Sequence, residues 1–462
     1  MASKEALLEK DQNRSSLERF QHAGRMVELR NRFVRAAEEE AGLLTHHAKT
    51  IKFRDVKSSF GLAPPPDEKE AAALQTNTEA IVNLLNNCLG SGMLGVAFAV
   101  KKAGVVPALL IILFSAAINR YTLLLNLQSC LTARVDPATA AIGEATFGKA
   151  GKLFMVILFT CLGFFCMVSY IDASADAVAG LLRLGGVEFP KSALLATCWA
   201  IMLVPPTLMR SLKMVAVLSF VAFVGGCVML ACVLVYCGSN LMASGLPAAA
   251  DVAWLPPDWG SLFAAAPILL LIFSTQAGGG VVLSTMEDDS EANARSVTLK
   301  AYVIVLVMDL LMGFVSYLAF LGETKGDVLE NMAADSPTAV VARVALVVLV
   351  VLSYMIMAIP CKVALIDLLF GKNEALNEAS PAQFYSLTLV LNVAALLVAL
   401  AVSDLAAILS LNGAVCTNFV AFILPAAFYV RVHKEASLKE KLPFAALLGF
   451  GVLSLAVCSA QI

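Results

Sequence analysis

From about Ala80 to its last residues the chain alternates long apolar stretches with short polar connections. A helix needs about 20 such residues to cross the hydrocarbon core of a bilayer. Stretches of that length fall near 80 to 101, 104 to 127, 152 to 182, 192 to 209, 213 to 237, 261 to 285, 299 to 322, 338 to 361, 384 to 402, 407 to 430 and 443 to 461. The pattern predicts an all-α integral membrane protein with eleven transmembrane helices over residues 76–462. Residues 1–75 are a different material, rich in Glu, Lys and Arg, with a weak helical pattern at Leu17, Phe20 and Val27 and a proline break at Pro64, Pro65 and Pro66. They read as a cytosolic N-terminal tail, either a solvated disordered segment or one that binds a cytosolic partner. No early apolar stretch follows a positive flank, so the first membrane helix is expected to target the chain.

Two stretches break the apolar pattern where a membrane helix ought to be continuous. Asn83 to Gly95 reads NLLNNCLGSGMLG, and Ser274 to Gly280 reads STQAGGG between PILLLIF and VVLSTM. A glycine costs about 1 kcal/mol relative to alanine inside a helix. Close helix packing would explain a pair of small residues, but it does not ask for Asn83, Asn86, Asn87 and Ser91 as well. Unwound backbone at membrane depth is tolerated only where it is buried in protein or lines a cavity. Breaks in the first and sixth spans, four intact spans apart, are the pattern of two inverted five-helix repeats with a binding site at mid-membrane. The repeats would occupy 76–240 and 258–432, with a helix over 443–461 added. Half-helix N-termini there offer free N–H groups to an anion such as a carboxylate, and freed carbonyls can hold a cation.

Composition sharpens this picture. The chain is 59% hydrophobic and 15% charged, against about 25% charged in a soluble domain. The net charge of -2 and the dispersed basic residues give no reason to expect a nucleic acid partner. With the tail placed inside, 26 of the 33 Lys and Arg fall on the inner side and six on the outer, which puts the N-terminus in the cytosol. An odd number of spans then puts the C-terminus in the extracellular or lumenal space, for a plasma membrane or a vacuolar or lysosomal one. Most of the eleven cysteines lie inside apolar stretches without a CxxC spacing and read as packing residues, so no resident metal or redox cofactor is expected. No HExxH, GxSxG or paired acid–base carboxylates stand at membrane depth, which argues against an enzyme. All four histidines (His22, His46, His47 and His433) lie in the tail or a loop, so none can relay protons within the membrane.

NLLNNCLGSGMLGVAFAVKKAG resembles the first-helix signature of the amino acid/auxin permease family, which includes sodium-coupled neutral amino acid transporters and vacuolar amino acid transporters. SYLAFLG from Ser316, the eighth span ending at Pro360, and VSDLAAILSLNGAVCTNFVAFILPAAFYV from Val402 to Val430 follow in the family's order. The resemblance runs from about residue 76 to the end. It implies a secondary active transporter of the amino acid–polyamine–organocation superfamily, moving neutral amino acids by alternating access with sodium or protons as the coupling ion. It places an ion ligand at Asn86 and another at Ser353, seven residues before Pro360. It places the substrate backbone against Gly90, Ser91, Gly92 and Met93 on one side and Thr275, Gln276 and Gly278 on the other. The triple glycine of the sixth span departs from many members. The loop between spans five and six holds no cysteine, so the disulfide found there in some animal members is not expected.

Ionisable residues inside spans are functional candidates by default. Asp309 lies about ten residues into the seventh span, either as a proton acceptor or gating partner for ion coupling or as a hydrogen-bond partner of a neighbouring helix. Asp172 and Asp176, four apart near the outer end of the third span, read as an outer-vestibule pair. Arg120 snorkels inward or pairs, and Asp404 is a helix cap or a functional carboxylate. A non-transporting amino acid sensor or channel on the same scaffold stays open as the alternative function.

Overall fold

A computed structural model describes residues 74–135, 140–208, 215–370, 380–402 and 404–461. The expected tail and its partner-binding role lie outside them, apart from Leu74 and Gln75. The first span is two helices, α1 (Asn77–Cys88) and α2 (Gly92–Ala103), bent by 53° at Leu89–Ser91. Thr76 and Glu79 close a capping box at the start of α1, satisfying two N–H groups the first turn would otherwise leave free. α3 (Val105–Ala133) and α4 (Ala141–Leu182) follow, the latter kinked at Gly148, whose φ of 68° is left-handed.

The next segment is irregular: α5 (Lys191–Cys198), a π-helical turn Trp199–Leu203, and α6 (Val204–Thr207), which carries Pro205 and Pro206. Then come α7 (Val215–Ser244), α8 (Trp259–Leu271), α9 (Gln276–Ser284) and α10 (Glu291–Leu310). A π turn at Leu311–Val315 carries α10 into α11 (Ser316–Phe320). α12 (Pro337–Phe370) and α13 (Pro381–Ala401) precede α14 (Leu405–Asn412), which passes through a π-helical stretch Gly413–Ile423 into α15 (Leu424–Val432). α16 (Leu438–Ser459) is last.

Among the described residues, nine helices are long and apolar enough to cross a membrane, and ten when α1 and α2 count as one span. The expected eleven differ by the segment from Lys191 to Thr207, whose pieces of 8, 5 and 4 residues are too short and too interrupted to stand as one long helix. Leu110, Ile201, Val235 and Leu397 are 60 to 70% exposed, as side chains facing hydrocarbon rather than water would be. The buried residues form one large apolar cluster around α1, α2, α4, α8 and α12. Gln75 pairs with the end of α9: its N–H donates to Thr285 O at 2.9 Å and its carbonyl accepts from Glu287 N at 2.9 Å. That pairing holds the start of the first span against the end of the sixth.

Candidate functional site

At the first break α1 ends with Leu89 N donating to Leu85 O at 2.7 Å. α2 opens with tighter bonds, Met93 N to Gly90 O at 3.3 Å and Leu94 N to Ser91 O at 3.1 Å. A helix leaves its first N–H groups without intrahelical partners, and with Met93 and Leu94 bonded back to the break those groups end at Gly92. Glycine at position 90 is dictated by packing, because a Cβ there would lie 2.6 Å from Tyr170 Oη. Ser91 Oγ sits 2.6 Å from Ser169 Oγ, and Ser169 itself donates to Cys166 O at 2.8 Å, which leaves Ser91 as the donor.

The second break is Ile272–Thr275 between α8 and α9. It is therefore displaced from the sequence reading: Ser274 and Thr275 lie in it, whereas Gln276 to Gly280 are helical. The glycines serve close approach instead. A Cβ on Gly278 would stand 2.8 Å from Asn87 Oδ1, and one on Gly279 2.8 Å from Leu123 Cδ1.

Freed backbone at this depth needs partners, and two side chains, Tyr302 and Ser115, supply them. Tyr302 Oη donates to Phe273 O at 3.1 Å and accepts from Thr275 Oγ1 at 2.7 Å. Ser115 Oγ donates to Leu270 O at 3.3 Å. Gln276 Nε2 reaches Asn119 Oδ1 at 3.1 Å and Thr122 Oγ1 at 3.2 Å on α3, while its Oε1 accepts from Ser274 Oγ at 3.2 Å.

The two breaks face each other across a cavity of about 60 Å³, room for about four water molecules. Gly90, Ser91, Gly92, Thr275 and Gly278 line it. Met93 is buried elsewhere and Gln276 turns onto α3, so neither lines it. Much of the remaining wall is apolar and comes from two other helices: Phe159, Leu162, Cys166 and Tyr170 of α4, and Met357 and Pro360 of α12. Of these, Pro360 alone belongs to a stretch that the sequence marks. Among the described residues, no Asp, Glu, Lys or Arg is part of the wall.

Asn86 and Ser353, 267 residues apart, meet with Ser353 Oγ donating to Asn86 Oδ1 at 3.4 Å. Both are at most 2% exposed, and the Tyr170 hydroxyl hydrogen-bonds the Ser353 side chain. Asn86 Nδ2 has no partner among the described residues. Three hard oxygens thus converge beside the first break, a donor set suited to a small hard cation. Asp309 is buried in α10, its Oδ2 without a hydrogen-bond partner among the described residues, and it is not part of the cavity wall.

Other charges are placed as follows. Lys191 Nζ bridges Asp172 at 2.9 Å and Asp176 at 3.0 Å. Arg120 donates to Arg295 O at 2.9 Å, and Asp404 caps α14 through Ala406 N at 3.0 Å. Lys362, counted above with the inner connections, is instead buried in α12. Its Nζ donates to Thr207 O at 2.7 Å and lies 4.5 Å from the centre of the Phe384 ring.

A family model described as "Transmembrane amino acid transporter protein" matches residues 74–462. A Bos taurus protein named "Putative sodium-coupled neutral amino acid transporter 11" is 24% identical over 82% of this chain and 81% of its own length. Solute carrier family 38 member 10 of Homo sapiens is 24% identical over 83% of this chain, which spans only 34% of that longer protein. Among solved structures, the nucleobase–cation-symport-1 family transporter Mhp1 with bromovinylhydantoin bound superposes with a TM-score of 0.58 at 13% identity, covering 86% of this chain and 94% of that one. MhsT in complex with L-phenylalanine superposes with a TM-score of 0.52 at 14% identity, over 84% and 99%. At such identities these two speak for the fold alone.

Proposed function

Because the chain belongs to the transmembrane amino acid transporter family, we propose that it carries amino acids with uncharged side chains across a membrane by alternating access, driven by a sodium or proton gradient. One observation carries this reading: two helices broken at facing positions enclose a cavity that the break residues line. The substrate carboxylate would take the free N–H groups around Gly90, Ser91 and Gly92, where the start of α2 adds its partial positive charge. The ammonium group would lie toward Thr275 and the loosened turn before it. A wall with no Asp, Glu, Lys or Arg among the described residues suits a neutral side chain, since a charged one would be desolvated unpaired. Gln276 positions α9 by fixing it to α3. Asn86 and Ser353 would hold the coupling ion, with Asp309 as the alternative acceptor if that ion is a proton.

The reading extends to eleven spans, with the segment from Lys191 as the fourth, to two inverted repeats, and to a cytosolic N-terminus. Purified protein in proteoliposomes should accumulate a radiolabelled neutral amino acid when a sodium or proton gradient is imposed, and should exclude lysine and glutamate. Binding without accumulation under either gradient would overturn transport and favour a sensor on this scaffold.

A further inference from the structure

The loop between α11 and α12 converges on the ends of four helices. Lys101 Nζ of α2 donates to its Thr324 O at 3.1 Å, and a Cβ on its Gly326 would stand 3.2 Å from Ala406 Cβ of α14. Arg343 of α12 donates to Leu329 O and Met332 O at 3.0 Å each. That guanidinium lies close against α4, where a Cβ on Gly180 would overlap it. A small polar cavity of about 30 Å³ remains beneath, lined by Asp176, Arg183, Asp327, Glu330 and Arg343 among others.

Asp327 is the anomaly in this arrangement. It is 4% exposed; Oδ1 accepts from Leu329 N at 2.8 Å, and Oδ2 has no partner among the described residues. Three of the neighbouring cations are engaged by other groups, and Arg183, which lines the cavity, is the fourth. Lys191 of α5 holds Asp172 and Asp176, Lys325 stands 3.7 Å from Glu330, and Arg343 bonds the loop carbonyls. The groups that face Asp327 are thus Asp172 and Asp176 on α4, Arg183 just after it, Lys191 on α5, Glu330 on the loop and Arg343 on α12, with Asp404 at the start of α14 behind Asp172. A buried carboxylate among three others is costly when ionised.

We propose that residues 324–336 form a lid over the outer end of the cleft, held shut by a proton on Asp327. The word "outer" rests on the orientation given under the proposed function; the proton dependence does not. Burial, then the carboxylates of Asp176 and Glu330, push the Asp327 carboxyl up to about 8. The closed lid therefore binds a proton that the open, solvated lid releases near the ordinary aspartate value of about 4. Closure is complete below that value and is lost as pH rises, each unit favouring opening by up to about tenfold until the curve levels near the closed-state value. An acidic outer compartment keeps the lid down and an alkaline one lifts it.

Hydrogen exchange of residues 324–336 in the full-length protein, corrected for the intrinsic pH dependence of exchange, reads the lid without any transport assay. Between pH 5.5 and 7.5 its protection should fall at least tenfold in the parent. Asp327→Asn keeps the Oδ1 acceptor and cannot ionise, so it should remove most of the slope across that range. Asp335→Asn, at an exposed position of the same loop, should keep the parent's slope. A flat parent profile, or a parent-like slope in Asp327→Asn, overturns the proposal. A protein that transports nothing can still pass this test, so failure of the lid and failure of the transport reading are separable.

Discussion

At the scale of single residues the site divides into groups that would meet ligands and groups that hold the backbone for them. Asn86 and Ser353 belong to the first class by proximity and chemistry. Asn86→Ala removes a hard oxygen and keeps the helix, so ion-driven uptake should fall at least tenfold, about 1.4 kcal/mol. The drop should appear in the dependence on sodium or pH; identical dependence in mutant and parent would remove Asn86 from the ion site. Tyr302 belongs to the second class. Its hydroxyl satisfies Phe273 O and Thr275 Oγ1 inside the second break. Tyr302→Phe leaves that buried carbonyl unmet, at a cost of about 1 to 3 kcal/mol. A lowered melting temperature of the purified protein checks this, and an unchanged one would show that another group takes over the carbonyl.

At the scale of helices, what the sequence reveals and what it hides have physical causes. Asn83 to Gly95 announces its break because polar and flexible residues are rare at membrane depth, and the 53° bend falls at Leu89–Ser91. STQAGGG announces a break but misplaces it: glycine permits both unwinding and close packing, and only the neighbours decide. Here Asn87 and Leu123 occupy the space that side chains on Gly278 and Gly279 would need. The apolar wall from α4 and α12 was illegible, since Phe159, Leu162 and Met357 look like any lipid-facing or core residue until the helices are assembled. Gly413 shows the same limit. In the sequence it belongs to a family motif without a stated role, whereas in the fold a Cβ there would lie 2.0 Å from Pro267 O of α8. That is backbone, which no rotamer change can move. Gly413→Ala should force α14 away from α8 and destabilise the protein by about 1 to 3 kcal/mol, read as a loss of thermal stability. Full retention of the melting temperature would mean that the π-helical stretch beginning at Gly413 absorbs the shift.

At the scale of the whole molecule the open quantity is the number of crossings, and it turns on one segment. The excess of Lys and Arg on one set of connections fixes an orientation only if each span between them crosses. Nine long helices and the bent first span make ten, and an even count would return both ends of the chain to the same side. The segment from Lys191 to Thr207 reaches the inner side only if its π turn and paired prolines still let it traverse the bilayer. Its ties favour a crossing. Lys191 is held by Asp172 and Asp176 near one end of α4, while Thr207 meets Lys362 far along α12 from Arg343, which contacts the opposite loop. Reporter domains fused before the first span and after α16 should therefore lie in opposite compartments, the first cytosolic. Two reporters in one compartment would mean that this segment enters and leaves by the same face. The positions of Asp327 and its lid relative to the cytosol would then have to be redrawn, while the facing breaks and their cavity would stand.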